Sequence, residues 1–120
     1  MGAFSDTKFD LEPARVKELV DGGEAQLVDI REPYEWDAGH LPASIHVPLD
    51  QVAEWIVASP PTGPVVFVCL GGLRAAMVTR ACVAIGLDAR YLTGGLRRWV
   101  AEGHVLDPTP GLLAPHGTPP

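Results

Sequence analysis

Cys69, the glycine pair Gly71-Gly72 and Arg74 stand in an order that suits chemistry at sulfur. The thiolate is the reactive form of cysteine, and it needs positive potential nearby. Two glycines let the backbone turn tightly with its N–H groups facing inward, and a curl of such groups makes an anion-binding nest. A helix that starts directly after the loop adds the positive end of its dipole. The field that holds a thiolate also holds an anionic substrate beside it. Arg74, five residues after the cysteine, can reach over the sulfur if the loop curls. Two plainer alternatives stand beside this reading: Cys69 as a small apolar residue finishing a strand, and Arg74 as a solvated surface residue. Cys82 falls on the apolar side of the next helix and reads as core.

The element that must carry Cys69 is Pro64-Val65-Val66-Phe67-Val68-Cys69, a continuous apolar run of the kind covered on both faces in a parallel sheet. Ligands of open α/β sheets bind outside the carboxyl ends of the strands, where Cys69 falls. From Arg74 to Ile85 the composition turns helical, with Ala75, Ala76, Met77, Val78, Ala81, Cys82 and Ile85 as a broad apolar face and Gly86 as the stop. Upstream, Pro13 opens a helix that Gly22-Gly23 end, and Gln26 to Ile30 reads as a buried strand. A brief helix over 32–38 follows, then a short strand at Ile45-His46-Val47, then a helix capped by Asp50 with Val52, Ile56 and Val57 at helical spacing. Downstream, Ala89 to Leu92 is a strand, Thr93-Gly94-Gly95 a loop and Leu96 to Ala101 a last short helix. Strands alternating with helices predict an α/β fold, an open parallel sheet flanked by helices on both faces.

A chain of 120 residues is about one domain. Residues 1–107 read as that single domain. Residues 108–120 hold five prolines and two glycines with no Lys or Arg, and read as a disordered or surface-packed tail. The net charge of −6 argues against nucleic acid as a partner. That average conceals an asymmetry: residues 1–60 carry twelve acids against four Lys/Arg, and residues 61–120 three acids against five Arg. Chemistry on an anion is expected in the second half. No apolar stretch approaches the roughly 18 to 20 residues of a membrane span, and the N-terminus lacks a basic segment followed by an apolar one. These features predict a soluble, cytoplasmic protein without a membrane partner. Two cysteines are too few for a disulfide framework. No large apolar stripe demands an obligate dimer, so a monomer or weak dimer is expected.

Three blocks of sequence, in order, resemble the single-domain rhodanese family of sulfurtransferases. The first is Leu27-Val28-Asp29-Ile30-Arg31-Glu32-Pro33-Tyr34-Glu35-Trp36 with Gly39-His40-Leu41-Pro42-Ala43-Ser44-Ile45-His46-Val47-Pro48. The second is Cys69-Leu70-Gly71-Gly72-Leu73-Arg74-Ala75, similar to the family's active-site loop. The third is Leu92-Thr93-Gly94-Gly95-Leu96-Arg97-Arg98-Trp99. The resemblance implies ping-pong transfer of a sulfane sulfur through a Cys69 persulfide. The donor would be a small anion, thiosulfate or a thiol persulfide, and the acceptor cyanide, a thiol or a protein. Leu70, Gly71, Gly72, Leu73 and Arg74 would bind the donor through backbone N–H groups, and no metal or organic cofactor is implied. Asp29 and Arg31 would fix loops by an ion pair, His40 would orient its turn by a ring hydrogen bond, and Trp99 would be core or pocket wall near the loop. Arg97 and Arg98 would add local positive field or simply form a solvated helix face. His46, His104 and His116 have no spacing that pairs them with Cys69 as metal ligands.

The departures from the family pattern carry expectations of their own. Ala43 and Ser44 stand where the family has Gly and Ala, and both are small enough to keep the turn. Leu70 and Leu73 make the loop apolar apart from Arg74, which predicts a poor response to thiosulfate and a better one to a persulfide or protein donor. A related fold hosts phosphatases and arsenate reductases whose arginine lies six residues after the cysteine. Here that position is Ala75, and the shorter loop is too small for a tetrahedral phosphate. A non-enzymatic module that binds or senses sulfur through the same pocket is the remaining alternative, and the presence of Cys69 argues against it.

Overall fold

The strongest apolar run of the sequence becomes the central strand. In the computed structural model, which describes residues 8–108 and 112–115, the elements run β1 (Asp10–Leu11), α1 (Pro13–Asp21), β2 (Gln26–Asp29), α2 (Pro33–Ala38), β3 (Ser44–His46), a 3-10 turn (Leu49–Gln51), α3 (Val52–Ala58), β4 (Val65–Val68), α4 (Leu73–Ala84), β5 (Ala89–Leu92) and α5 (Gly95–Ala101). The five strands form one sheet in the order β1-β5-β4-β2-β3, every neighbouring pair parallel. Phe67 of β4 sits between Val28 of β2 and Tyr91 of β5.

Alternation along β4 divides the core in two. Val66 and Val68 face Val16 and Leu19 of α1 and Leu96 and Trp99 of α5. Val65, Phe67 and Cys69 face Val52 of α3 and Ala75, Val78 and Cys82 of α4. All four residues of β4 are fully buried, each contributing about 1.5 to 3 kcal/mol relative to exposure. This two-sided burial is what a run without polar alternation requires.

The structure differs from the sequence reading where local signals were weak. Two-residue β1 has no periodicity to detect; it exists because Tyr91 N–H and Thr93 N–H donate to the carbonyls of Phe9 and Leu11. Asp50 lies inside the 3-10 turn and makes no side-chain cap for α3, and Val57 is 83% exposed. On α4 only Ala75, Val78, Thr79 and Cys82 are buried, an i, i+3, i+4, i+7 face. Met77 and Ile85, read as core, are 62% and 67% exposed, and Ala81 is exposed as well. Together with Leu73 they give α4 an exposed apolar stripe that composition alone concealed, since a helix that is apolar on all sides shows no periodicity.

Ala43 occupies φ +65°, the left-handed region where a β-carbon crowds the backbone. The turn survives because Ser44 N–H and Oγ both donate to the Leu41 carbonyl. Beyond the last helix, His40 and Asp107 exchange two backbone hydrogen bonds, Leu112 N–H donates to the Ala38 carbonyl, and Leu113 packs against the α1/α5 core. The remainder of the Pro/Gly-rich segment, 109–111 and 116–120, lies outside the described residues.

Relieving the strain at Ala43 is expected to stabilise the fold. Ala43→Gly should raise the unfolding free energy by about 0.5 to 1 kcal/mol, the left-handed penalty exceeding the entropy glycine adds to the unfolded chain. Urea denaturation of the two proteins checks this, and a loss of stability would contradict it.

Candidate active site

Cys69 follows β4 at the carboxyl edge of the sheet, and its residue is 1% exposed. Gly72, at φ +100°, turns the chain into α4 and caps it. That turn aims two backbone N–H groups at sulfur: Gly72 N lies 3.1 Å from Sγ and Ala75 N 3.4 Å. Both donors belong to the start of a twelve-residue helix, so dipole and hydrogen bonds act in the same direction on a thiolate. Of the N–H groups from Leu70 through Arg74, that of Gly72 donates to Sγ itself, and Ala75 joins it from the first turn of α4.

The loop keeps this shape because its carbonyls are held on the other side. Leu96 N–H donates to the Cys69 carbonyl and Arg97 N–H to the Leu70 carbonyl, both at 3.0 Å. These donors are the second and third residues of α5, groups that a helix start leaves without internal partners. The approach leaves no room for a side chain at Gly95, where a β-carbon would stand 2.4 Å from the Leu70 carbonyl oxygen at φ +63°. Leu70 itself is 3% exposed, its side chain buried. Leu73 is 77% exposed beside the loop.

Arg74, which the sequence reading brings over the sulfur, is held by a carboxylate. Its Nη1 and Nη2 donate to Oε1 and Oε2 of Glu35 at 2.9 and 3.0 Å. Glu35 is fully buried in α2 and also accepts the Glu32 N–H. Partial burial works against the arginine's charge, yet the hydrogen bonds and charge of Glu35, helped by Cys69 and Asp29, raise its pKa above the ordinary value. Below it, Asp29 and Arg31 form a two-point pair with both side chains 0% exposed, and Arg31 Nη2 donates to the Gly39 carbonyl. Arg31 Nη1 has no partner among the described residues.

His40 Nδ1 donates to the Trp36 carbonyl at 2.9 Å, and its ring stacks on Trp36 at 3.5 Å. His46 stacks on the same indole at 5.0 Å and donates through Nε2 to the Arg31 carbonyl. Trp36 and Glu35 thus couple the α2 segment to the buried ion pairs, a role the sequence showed only as two letters inside a longer motif. The Glu32-to-Glu35 spacing before a helix was the available signal. Trp99 is both core and cavity wall: its Nε1 donates to the Val105 carbonyl, and it lines a cavity of about 220 Å³ with Lys17, Leu27, Pro42 and His104. Its α5 start, Gly94-Gly95, is what touches the loop. Cys82 is buried in α4, and burial pushes its thiol up. Among the described residues no group of His, Cys, Asp and Glu gathers as a metal site, and His116 lies outside them.

A buried cysteine at the carboxyl edge of a parallel sheet, with backbone donors aimed at its sulfur, defines a class of domain built around one nucleophilic loop. The model of the rhodanese-like domain matches residues 12–102, and the chain belongs to that family. It is 34% identical over 97 residues to the thiosulfate sulfurtransferase GlpE of Pseudomonas aeruginosa, covering 80% of this chain and 87% of that protein. A rhodanese-like domain protein of Staphylococcus aureus superposes with a TM-score of 0.72 at 27% identity, covering 83% of this chain and 97% of that one. A protein of Rhodopseudomonas palustris described as a possible tyrosine phosphatase superposes with a TM-score of 0.71 at 27% identity, covering 82% and 83%.

Two consequences follow for stability. Gly95→Ala should cost about 2 to 4 kcal/mol, because the carbonyls it meets belong to the loop's own backbone; an unfolding midpoint unchanged from wild type would refute the contact. Asp29→Asn, which strands a fully buried guanidinium, should cost about 3 to 5 kcal/mol, and Glu35→Gln only about 2, since Arg74 can turn toward water. Chemical denaturation ranks the pair, and equal losses would remove the distinction.

Proposed function

We propose that the chain is a sulfurtransferase in which Cys69 carries the transferred sulfur. The observation that carries this reading is the pair of backbone N–H groups, from Gly72 and Ala75, converging on Sγ. Thiolate and persulfide are both anions, and preorganised dipoles stabilise each without reorganising between steps. In the first step the Cys69 thiolate attacks the outer sulfur of an anionic donor. With thiosulfate, the S–S bond of the donor breaks, its electron pair leaves with sulfite, and a new S–S bond gives the Cys69 persulfide anion. In the second step an acceptor anion, cyanide or a thiolate, attacks the terminal sulfur and the electron pair returns to Cys69. No external oxidant enters either step.

Leu73 at the loop's rim favours a thiol persulfide or a protein donor over thiosulfate, because it offers apolar contact and no hydrogen bonds. Phosphate-ester chemistry fits less well. It needs a free guanidinium to clamp equatorial oxygens, and Glu35 occupies both terminal nitrogens of Arg74. Both cysteines are free thiols, as a sulfur carrier requires. Residues 1–107 contain every group invoked.

Intact mass spectrometry after incubation with thiosulfate or a persulfide donor tests the proposal. The wild-type chain and Cys82→Ala should each gain one sulfur, lost again on adding cyanide, and Cys69→Ala none. Retention of the added sulfur by Cys69→Ala would overturn the assignment. Hydrolysis of a phenyl phosphate abolished in Cys69→Ser would instead favour the phosphatase reading.

A further inference from the structure

Beside the loop lies one guanidinium whose charge is not compensated. Four arginines lie in or near the site, and three have acidic partners: Arg31 is held by Asp29, Arg74 by Glu35, and Arg98 by both Glu12 and Glu102. Arg97 makes no ion pair or side-chain hydrogen bond with any described residue, and it is exposed. Its backbone N–H is tied to the Leu70 carbonyl, which fixes where the side chain starts. Its guanidinium lies over the outer face of the loop, Nη1 being 3.7 Å from where a β-carbon on Gly71 would stand. Gly71 is exposed, so that face, with Arg97, is open to solvent.

We propose that Arg97 is the donor-recruiting residue: the uncompensated cation that draws anionic sulfur donors to Cys69 and makes the site discriminate by donor charge. This rests on the sulfurtransferase reading for its substrate, though its electrostatic content does not. Once Cys69 is ionised, an incoming dianion meets a like charge at the sulfur. Arg74 is already tied to Glu35, and the backbone donors act at short range inside the loop. An unpaired guanidinium at the rim offsets that repulsion before contact, and its long stem reaches the sulfonate end of a donor whose outer sulfur points at Cys69. An adjacent arginine pair with opposite states, one doubly paired and one free, provides an internal control.

Alkylation of Cys69 in the Cys82→Ala background tests this without relying on transfer. The rate ratio of iodoacetate to iodoacetamide reports charge selection and cancels the thiolate fraction, since the same thiolate attacks the CH2 carbon of either reagent and displaces iodide. Arg97→Gln should lower that ratio about threefold to tenfold and Arg97→Glu further, Arg97→Lys should keep most of it, and Arg98→Gln should leave it unchanged. In turnover, Arg97→Gln should raise KM for thiosulfate by a similar factor with kcat preserved, and by less for a singly charged aromatic thiosulfonate. A ratio and a KM indifferent to Arg97, in a chain that still acquires sulfur, would overturn the inference. A ratio that falls in a chain that never acquires sulfur would support the anion guide and reject the sulfurtransferase reading.

Discussion

A peptide plane cannot point its N–H and its carbonyl to the same side, and the site depends on how this chain resolves that constraint. The carbonyls of Cys69 and Leu70 turn toward α5, which points the N–H groups of Leu70 and Gly71 in the same planes the other way and leaves both carbonyls needing donors of their own. The start of α5 has unused donors for the same geometric reason, and Leu96 and Arg97 supply them at 3.0 Å. Each element satisfies the other's surplus. The close approach this demands is possible only because residue 95 is glycine, and the third sequence block is thus tied to the second by backbone contact.

Charge around the sulfur is arranged in layers. Deepest is the fully buried Asp29–Arg31 pair, which joins the end of β2 to the Gly39 turn and has no net charge. Above it Glu35 and Arg74 tie α2 to the first turn of α4. Both cations of these pairs are matched by carboxylates, while the N–H groups of Gly72 and Ala75 point their dipoles at the sulfur. Formal net charge does not register such dipoles, which is why an overall −6 is compatible with an anion site.

Much of this fold was legible because burial leaves a plain mark on composition. Val65–Val68, buried on both faces, reads as an unbroken apolar run, and the helix start at Pro13 and the turn at Gly86 follow from backbone stereochemistry. Two-residue β1 was invisible, since its pairing with β5 is a property of the partner strand. Helix α4 was found, with Cys82 read as core, but the width of its buried face was not: with apolar residues on all sides, only packing decides that Leu73, Met77 and Ile85 face water.

The sequence by itself determined the cysteine at the end of the central strand, its glycine loop, the helix behind it and the alternation that makes a parallel sheet, because these depend on residue type and on neighbours a few positions away. The Asp29–Arg31 pair, two residues apart, was readable in the sequence, but tertiary structure alone decided which charges distant in the chain are paired. Glu35 and Arg74 are thirty-nine residues apart, and nothing local indicates that the arginine's donors would be consumed by that carboxylate. The same is true of Trp99, which turns to its own cavity, and of the neighbours Arg97 and Arg98, identical in type and different in state. Coulomb and hydrogen-bond energies fall within a few ångströms, and only the folded chain sets which groups come that close.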